Sequence, residues 1–372
     1  MRGPIVITGG GTGGHIFPML AISEALETSG VATADLRFVG SRRGQEATLL
    51  GPGSVDLTLL SGRGLRRSFA PSALLANVGA MIGLVGAIVV ALVKVGRWRP
   101  SVVVSVGGYA SLAVSFAAYV WRRPLVLVEL DATPGAAHRL FTRYAVRRCT
   151  AFATNAPRTV FTGAPLRASL AVLERSSESR RDACAVMTPP IDPSRAVVVV
   201  MTGSLGATRV NRAVSELAAK WFDRRDRAIV HVSGRRDFET VASRVPALEG
   251  LDYRVVDFAD MALLWRLCDV AVCRSGATTV AELTALGIPS VLVPLPGAPG
   301  DHQTKNAKAL VDHGAAVIIA DPNCDAATLA AAIEEVLEPQ TRRRMAEAAK
   351  SLGHRDAATR IAQVILDVRG SA

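Results

Sequence analysis

Pro4-Ile5-Val6-Ile7-Thr8, running straight into Gly9-Gly10-Gly11-Thr12-Gly13-Gly14-His15, decides how this chain is read. The apolar run makes a strand. Five glycines behind it remove the side chains that keep a backbone from wrapping an anion, so their N–H groups can point at phosphate oxygens. From Pro18 to Leu26 apolar residues recur at helical spacing. The stretch therefore reads as strand, phosphate cradle and helix, and the positive N-terminal end of a helix favours a diphosphate. His15 stands at that mouth, where a proton acceptor can work. Gly9, Gly11 and Gly14 also satisfy the G-x-G-x-x-G pattern of dinucleotide-binding units. The second strand, Leu36 to Val39, is followed by Gly40-Ser41-Arg42-Arg43, with no acidic residue for a ribose. The two arginines suit the extra phosphate of NADP, so a cofactor reading is weakened and stays open.

Outward from that start, short apolar strands alternate with helical patterns, which is the signature of parallel α/β architecture. Strands are expected at Pro4 to Thr8, Leu36 to Val39, Val102 to Val106, Leu125 to Val128 and Thr159 to Thr162. A second set is expected at Val197 to Thr202, Ala228 to Ser233, Tyr253 to Val256, Val270 to Cys273, Ser290 to Val293 and Ala316 to Ile319. Between the sets, Glu174 to Ser194 is rich in Ser, Arg, Asp and Pro and reads as a connection. This gives an N-terminal domain over 1–173, a connection over 174–194 and a C-terminal domain over 195–372. The charged helical end from Pro339 onward is expected to pack at the domain junction.

A chain of 372 residues exceeds what one hydrophobic core usually spans. The formal charge of +11 implies an anionic partner: a nucleic acid, a phospholipid surface or a phosphorylated substrate. Basic residues do not alternate with aromatics as in single-strand binders, so nucleic acid ranks last. The five cysteines (Cys149, Cys184, Cys268, Cys273, Cys324) are odd in number and lack C-x-x-C spacing, which argues against a disulfide framework or a zinc site. A strand that begins within a few residues of Met1 leaves no room for an export signal, so a reducing cytoplasm is expected.

Ala70 to Val93 carries no charge and is bracketed by Arg63, Arg66 and Arg67 before it and Lys94, Arg97 and Arg99 after it. Its length suffices to cross a bilayer. Pro71, Asn77, Gly79, Gly83 and Gly86 interrupt it, however, and a spanning helix between α/β units would tear the sheet. A buried helix and an apolar patch dipping into a membrane surface remain. The flanking arginines favour the patch, since anionic headgroups attract each basic residue by roughly 1 kcal/mol.

Further glycine turns carry the chemistry. Val106-Gly107-Gly108-Tyr109-Ala110-Ser111 ends one strand and opens a helix, and it is expected beside the first cradle, in the crevice where α/β sheets bind ligands. A tight strand-to-helix turn alone would read the same way. In the second half, Thr202-Gly203-Ser204-Leu205-Gly206-Ala207 repeats strand, glycine loop and helix. Cys273-Arg274-Ser275-Gly276-Ala277-Thr278-Thr279-Val280-Ala281-Glu282 puts Glu282 on the first turns of another helix. A carboxylate there can accept two ribose hydroxyls or simply answer the helix dipole.

These blocks, together with Gly163-Ala164-Pro165-Leu166-Arg167 and Asp301-His302-Gln303-Thr304-Lys305-Asn306-Ala307, occur in an order that resembles the MurG family of N-acetylglucosaminyltransferases, from Ile5 to about Ala362. The resemblance implies a GT-B fold: two Rossmann-like α/β domains whose parallel sheets face a central cleft. It implies UDP-N-acetylglucosamine held mainly by the C-terminal domain, a lipid-linked diphosphate acceptor held by the N-terminal one, and no metal or cofactor. Carried over by motif, the donor contacts are Thr12, Gly13, Gly14, Asp131, Arg167, Ser204, Ala277, Thr278, Thr279, Val280, Glu282 and Gln303, with Phe258 where the family packs an apolar residue on uracil. Gly11, Gly14, Gly107, Gly108 and Tyr109 would meet the acceptor diphosphate. The apolar segment would dock on an anionic membrane surface, as a peripheral protein of the cytoplasmic face.

Three motifs depart from the family pattern. Val128-Glu129-Leu130-Asp131 stands where His-Glu-Gln-Asn is common, Leu205 replaces a usual glutamine, and Ala164 replaces the asparagine usual before the proline. Each removes a hydrogen-bonding side chain near the expected sugar, at about 0.5–1.5 kcal/mol per bond. The expected reaction is inverting transfer to the 4-hydroxyl of a lipid-linked muramoyl sugar, with His15 as general base; a role for His15 in binding the glycine loop or phosphate stays open. The rivals are a related transferase with another donor or acceptor, a nucleotide-sugar-binding protein without turnover, and an NADP-dependent oxidoreductase.

Overall fold

The computed structural model describes residues 3–10, 13–42, 56–61, 71–203 and 206–371, and the side chains of 71–78 are left aside. The chain divides into two compact units, residues 1–168 with 355–372, and residues 169–354. Each is built on a single sheet of parallel strands.

The first sheet holds β1 (Ile5–Thr8), β2 (Leu36–Ser41), β3 (Leu57–Leu60), β4 (Val102–Ser105), β5 (Leu125–Glu129), β6 (Arg147–Thr150) and β7 (Thr159–Phe161), in the order β3-β2-β1-β4-β5-β6-β7. Ile5 pairs with Leu36 on one side and Val102 on the other. These strands are continuous apolar runs because helices cover both faces of such a sheet. Val6, Val103, Leu125 and Leu127 pack with Ala110, Ala113, Val114 and Ala117 of the helix Tyr109–Val120, and with Ala87, Ala91 and Val95 of the long helix Pro71–Trp98. β3 and β6 were not anticipated from the sequence. β3, Leu-Thr-Leu-Leu, has a threonine within its apolar residues, and β6, Arg-Arg-Cys-Thr, begins with two charges, so neither carries the unbroken apolar run that marked β4 and β5.

The second sheet holds β8 (Ala196–Met201), β9 (Arg227–Val232), β10 (Asp252–Val256), β11 (Val270–Cys273), β12 (Ser290–Leu292) and β13 (Ala316–Ile318), in the order β10-β9-β8-β11-β12-β13. Val198, Val200, Ile229, Val270 and Val272 pack against Val210, Val214 and Leu217 of the helix Thr208–Lys220 and Leu329, Ile333 and Val336 of the helix Ala326–Leu337. All six strands read from the sequence in this half are present, within a residue at each end.

The ends of the chain differ from the sequence reading. The stretch taken as a connection contains the helix Ser177–Val186, which belongs to the second unit and packs on the helix Met261–Leu267. Residues 355–372, assigned from sequence to the second domain, belong to the first unit: the helix Ala357–Ser371 lies on the helix Gly13–Thr28 through a face that buries Ile361, Ile365 and Val368. Its charged composition gave its amphipathic face no address. The five cysteines are all free and buried.

Candidate active site

In an open parallel sheet the ligand crevice forms beyond the carboxyl ends of the strands, where the strand order reverses. Reversal falls between β1 and β4 in the first unit and between β8 and β11 in the second. All four of these strands run into the glycine-bearing segments picked out in the sequence.

In the first unit the loops after β1 and β4 are fitted to one another. Gly107 and Gly108 have φ of 108° and 88°, a region that side chains avoid. A β-carbon on Gly108 would overlap the carbonyl of Gly10, and one on Gly107 would stand 3.1 Å from Nε2 of His15. Thr8 donates to Val39 O (3.0 Å), and Val106 N–H to Thr8 O (2.8 Å). The Ser111 hydroxyl accepts Gly107 N–H (3.2 Å) and lies 2.8 Å from Gly107 O and 3.1 Å from Thr8 O. These bonds bring His15, Gly107 and Gly108 together, with Tyr109 opening the next helix. Gly13 and Gly14 start the helix that carries His15. The Tyr109 hydroxyl is buried without a hydrogen-bond partner among the described residues, and burial raises its pKa.

Arg167 lays its guanidinium over the Phe17 ring, 4.7 Å from the centroid, which holds it beside the same helix. Ala168 N–H donates to the Glu24 carboxylate at 3.1 Å and fastens the segment that carries Arg167. Glu129, by contrast, is spent inside the fold: Arg148 grips it at 3.0 and 2.8 Å in a buried bidentate pair. Burial, then the Glu129 charge, pushes the neighbouring Cys149 thiol up to about 12. Asp131, two residues on, is half-buried.

The second unit has an interlock of its own, between the loops after β8 and β9. Gly203, Gly206 and Gly234 all have positive φ, and a β-carbon on Gly206 would stand 2.7 Å from both Asp237 Oδ2 and Ser233 O. Asp237 accepts from Thr208 (3.2 Å), Asn211 (3.0 Å) and Arg236, whose guanidinium holds its carboxyl below the usual range. Asn211 Nδ2 also donates to Ser233 O at 3.0 Å, which leaves Oδ1 as the acceptor for His231 Nε2 at 2.9 Å. The Nε2 proton is thereby fixed, and Tyr253 OH donates to Nδ1 at 2.9 Å. Burial pushes His231 down to about 3, so it is a neutral link in this chain.

Beyond β11, Arg274 is bound by Asp321 (2.6 Å) and by the carbonyls of Val293 and Pro294. Ser275 donates to Gln303 O (2.8 Å) and accepts Asn306 Nδ2 on its own carbonyl (3.1 Å), so the start of the helix Ala277–Leu286 is tied to the helix His302–Val311. Ala277, Thr278, Thr279 and Val280 form the first turn of that helix, and Glu282 lies on the second. One Glu282 oxygen accepts the Trp265 indole N–H at 2.8 Å. Gln303 takes Leu295 N–H on its side-chain oxygen at 2.9 Å, which turns its amide nitrogen to other partners. The arrangement brings Ala277 to Val280, Glu282 and Gln303 into one group. Phe258 follows β10, three strands from β11, and is 62% exposed with Arg235 over its ring at 5.7 Å. Gly11, Thr12 and Ser204, with Leu205 and Arg63, Arg66 and Arg67, lie outside the described residues.

Sequence reasoning missed Trp265, Asn211, Asp237 and His138. Each reaches its partner across the fold, so no local spacing announces it.

Two domain models match the chain: the glycosyltransferase family 28 N-terminal domain over residues 5–150 and its C-terminal domain over residues 197–361. The UDP-N-acetylglucosamine–N-acetylmuramyl-(pentapeptide) pyrophosphoryl-undecaprenol N-acetylglucosamine transferase of Anaeromyxobacter dehalogenans is 38% identical over 375 residues, 98% of this chain and 92% of that protein. The chain belongs to the MurG family. The protein of the same name from Alkalilimnicola ehrlichii is 36% identical over 378 residues, covering 99% of each. MurG of Acinetobacter baumannii superposes with a TM-score of 0.73 at 25% identity, covering 98% of this chain and 99% of that one. The glycosyltransferase VinC, at 16% identity and a TM-score of 0.65, shares the fold. MurG membership and these neighbours place both units in the GT-B class.

Proposed function

We propose that this chain transfers N-acetylglucosamine from UDP-N-acetylglucosamine to the 4-hydroxyl of a lipid-diphosphate-linked N-acetylmuramoyl peptide, with inversion, completing the lipid-linked peptidoglycan precursor. The observation that carries the reading is the pairing of glycine turns with strand-order reversal in both units of a MurG-family chain. Each unit thereby presents bare N–H groups and helix N-termini to a pyrophosphate.

In the second unit, Glu282 takes the ribose hydroxyls, Gln303 the sugar, and Ser204 with the N-terminus of the helix Ala277–Leu286 the diphosphate. Phe258 packs on the base. N–H groups aimed at the leaving diphosphate stabilise the charge that develops there. In the first unit, Gly11, Gly14, Gly107, Gly108 and Tyr109 take the acceptor diphosphate, and a Tyr109 hydroxyl with no hydrogen-bond partner among the described residues supports that role. Thr12, Gly13, Gly14, Asp131 and Arg167 complete the donor contacts. His15, against Gly107, removes the acceptor proton as the anomeric carbon is attacked from the face opposite UDP.

The acceptor's lipid requires a membrane. The helix Pro71–Trp98 packs one face on the fold through Ala80, Ala87, Ala91 and Val95 and exposes Met81, Ile82, Val85, Val89, Val90 and Val93. A helix held on one side by protein lies on a bilayer surface rather than crossing it. We take this face as the contact with anionic lipid on the cytoplasmic side of the membrane.

The test is a panel of UDP-sugars offered with a muramoyl-peptide lipid diphosphate analogue, read as UDP release. Turnover with UDP-N-acetylglucosamine far above the others is expected. Donor binding without UDP release would make the chain a binding protein, and preference for another sugar would trace to Asp131, Ala164 or Leu205.

A further inference from the structure

His138 is a titratable side chain that the reaction outlined above does not use. It sits on the short helix Ala136–Phe141, is 4% exposed, and places Nε2 3.0 Å from the hydroxyl of Ser105. Ser105 is itself fully buried as the last residue of β4, two residues before Gly107. A β-carbon built on Gly107 would lie 3.1 Å from His15 Nε2 and 4.0 Å from His138 Cε1, so the two imidazoles flank one backbone position.

We propose that His138 is a positioning residue for His15, bracing through Ser105 and Gly107 the loop against which the His15 ring is set. The proposal rests on His15 being the general base. An apolar pair in place of His138 and Ser105 would satisfy packing at little cost, whereas a buried polar pair fixes the direction as well as the separation of what it joins. Charge fits the same role. Burial, then repulsion from His15 in its protonated form and from Arg148, pushes His138 down to about 3, and Arg148 is itself neutralised by Glu129. A neutral ring therefore stands beside His15 as it takes up the acceptor proton, where a second cation would oppose that step.

The experiment compares His138→Ala, His138→Gln, His138→Asn, His15→Ala and the His15→Ala, His138→Ala double variant in the full-length protein. Steady-state UDP release gives kcat and donor KM, and thermal melting confirms folding. Loss of positioning by a fraction of an ångström to an ångström lowers kcat by roughly 10- to 100-fold in His138→Ala, with donor KM within about twofold. His138→Gln, whose amide reaches the Ser105 hydroxyl, recovers most of the loss, and the shorter His138→Asn does not. The double variant is no slower than His15→Ala. Losses that multiply in the double variant would show that His138 acts apart from His15 and overturn the proposal. So would unchanged kcat in His138→Ala, or a raised donor KM at constant kcat. If the alanine variant fails to fold, the Gln and Asn pair decides: equal turnover in the two overturns the proposal. Full turnover in His15→Ala is a separate outcome, which removes the base assignment and this inference with it.

Discussion

The α-carbon of Gly108 lies against the carbonyl oxygen of Gly10, so close that a β-carbon would overlap it. The loops after β1 and β4 therefore take their shape from each other. Gly234 stands in the same relation to Gly203 and Gly206 in the second unit. In each unit a glycine on one loop lets the neighbouring loop be drawn close, between the loops after β1 and β4 in the first and between those after β8 and β9 in the second.

Gly108→Ala puts a side chain at φ 88°, ψ −178°, a backbone region that is essentially glycine's alone and costs other residues about 1–3 kcal/mol, and adds a clash with backbone that cannot swing aside. A fall in the melting temperature together with at least hundredfold slower UDP release is expected. Gly86→Ala is the control of opposite sign. Nothing lies within 4 Å of its added methyl, and a helical glycine replaced by alanine gains roughly 1 kcal/mol. A Gly108→Ala protein as stable and active as its parent would mean that the two loops are not mutually fitted.

Trp265→Phe removes the indole N–H that fixes one oxygen of Glu282 and leaves an aromatic ring in the same buried place. A ribose contact exists in ground and transition states alike, so its weakening raises donor KM and spares kcat. A rise of about 3- to 10-fold is expected for Trp265→Phe and a larger one for Glu282→Ala, in line with a hydrogen bond to a charged group. Adding Trp265→Phe to Glu282→Ala should change nothing further in steady-state kinetics. Independent effects would separate Trp265 from the ribose.

How far the sequence could be read follows from where each interaction lives. Parallel order and the glycine turns are local facts: a strand, a glycine and a helix start are neighbours along the chain, and these were legible. Glu282 was legible as a residue on the first turns of a helix, but its indole partner was not, because Trp265 comes from another helix. Glu129 was legible as the glutamate kept from the family's His-Glu-Gln-Asn, but its partner was not, because Arg148, which holds both its oxygens, comes from the adjacent strand. The helix Ala357–Ser371 was legible as a helix but not as part of the first unit, since an apolar stripe says that a face is buried and not against what.

Stability against acid carries a signature of the two buried imidazoles. In an unfolded chain a histidine titrates near 6.5, whereas His138 and His231 stay neutral in the fold down to about 3. Between those values the unfolded chain binds protons that the native one refuses. Stability on this account is flat above about pH 6.5 and falls below it, by a slope approaching 1.4 kcal/mol per pH unit for each ring. Urea unfolding midpoints at pH 7.5 and 5 should therefore differ. The difference should shrink in His231→Gln, even though that variant, having lost the Tyr253 bond, is less stable at pH 7.5. An undiminished drop would assign the acid sensitivity elsewhere.

Membrane contact is the remaining part of the reading, and charge and exposed apolar area fall in the same segment of the chain. Residues 57–173 contain fourteen of the chain's lysines and arginines but only two acidic residues, so the excess positive charge of the whole protein is concentrated in the segment that includes the exposed apolar helix. Val85 and Val89, 61% and 54% exposed, lie one turn apart on that helix and away from its packed face. Glutamate at either places a carboxylate among anionic headgroups and costs the fold little. Val85→Glu and Val89→Glu should each reduce cosedimentation with phosphatidylglycerol vesicles by roughly tenfold, as loss of apolar burial and repulsion add. UDP release with a water-soluble acceptor analogue should be unchanged. Binding of the parent should weaken as salt rises and be slight on phosphatidylcholine, because headgroup attraction falls off within a Debye length. Parent-like binding by both variants would place the lipid contact on another face of the protein.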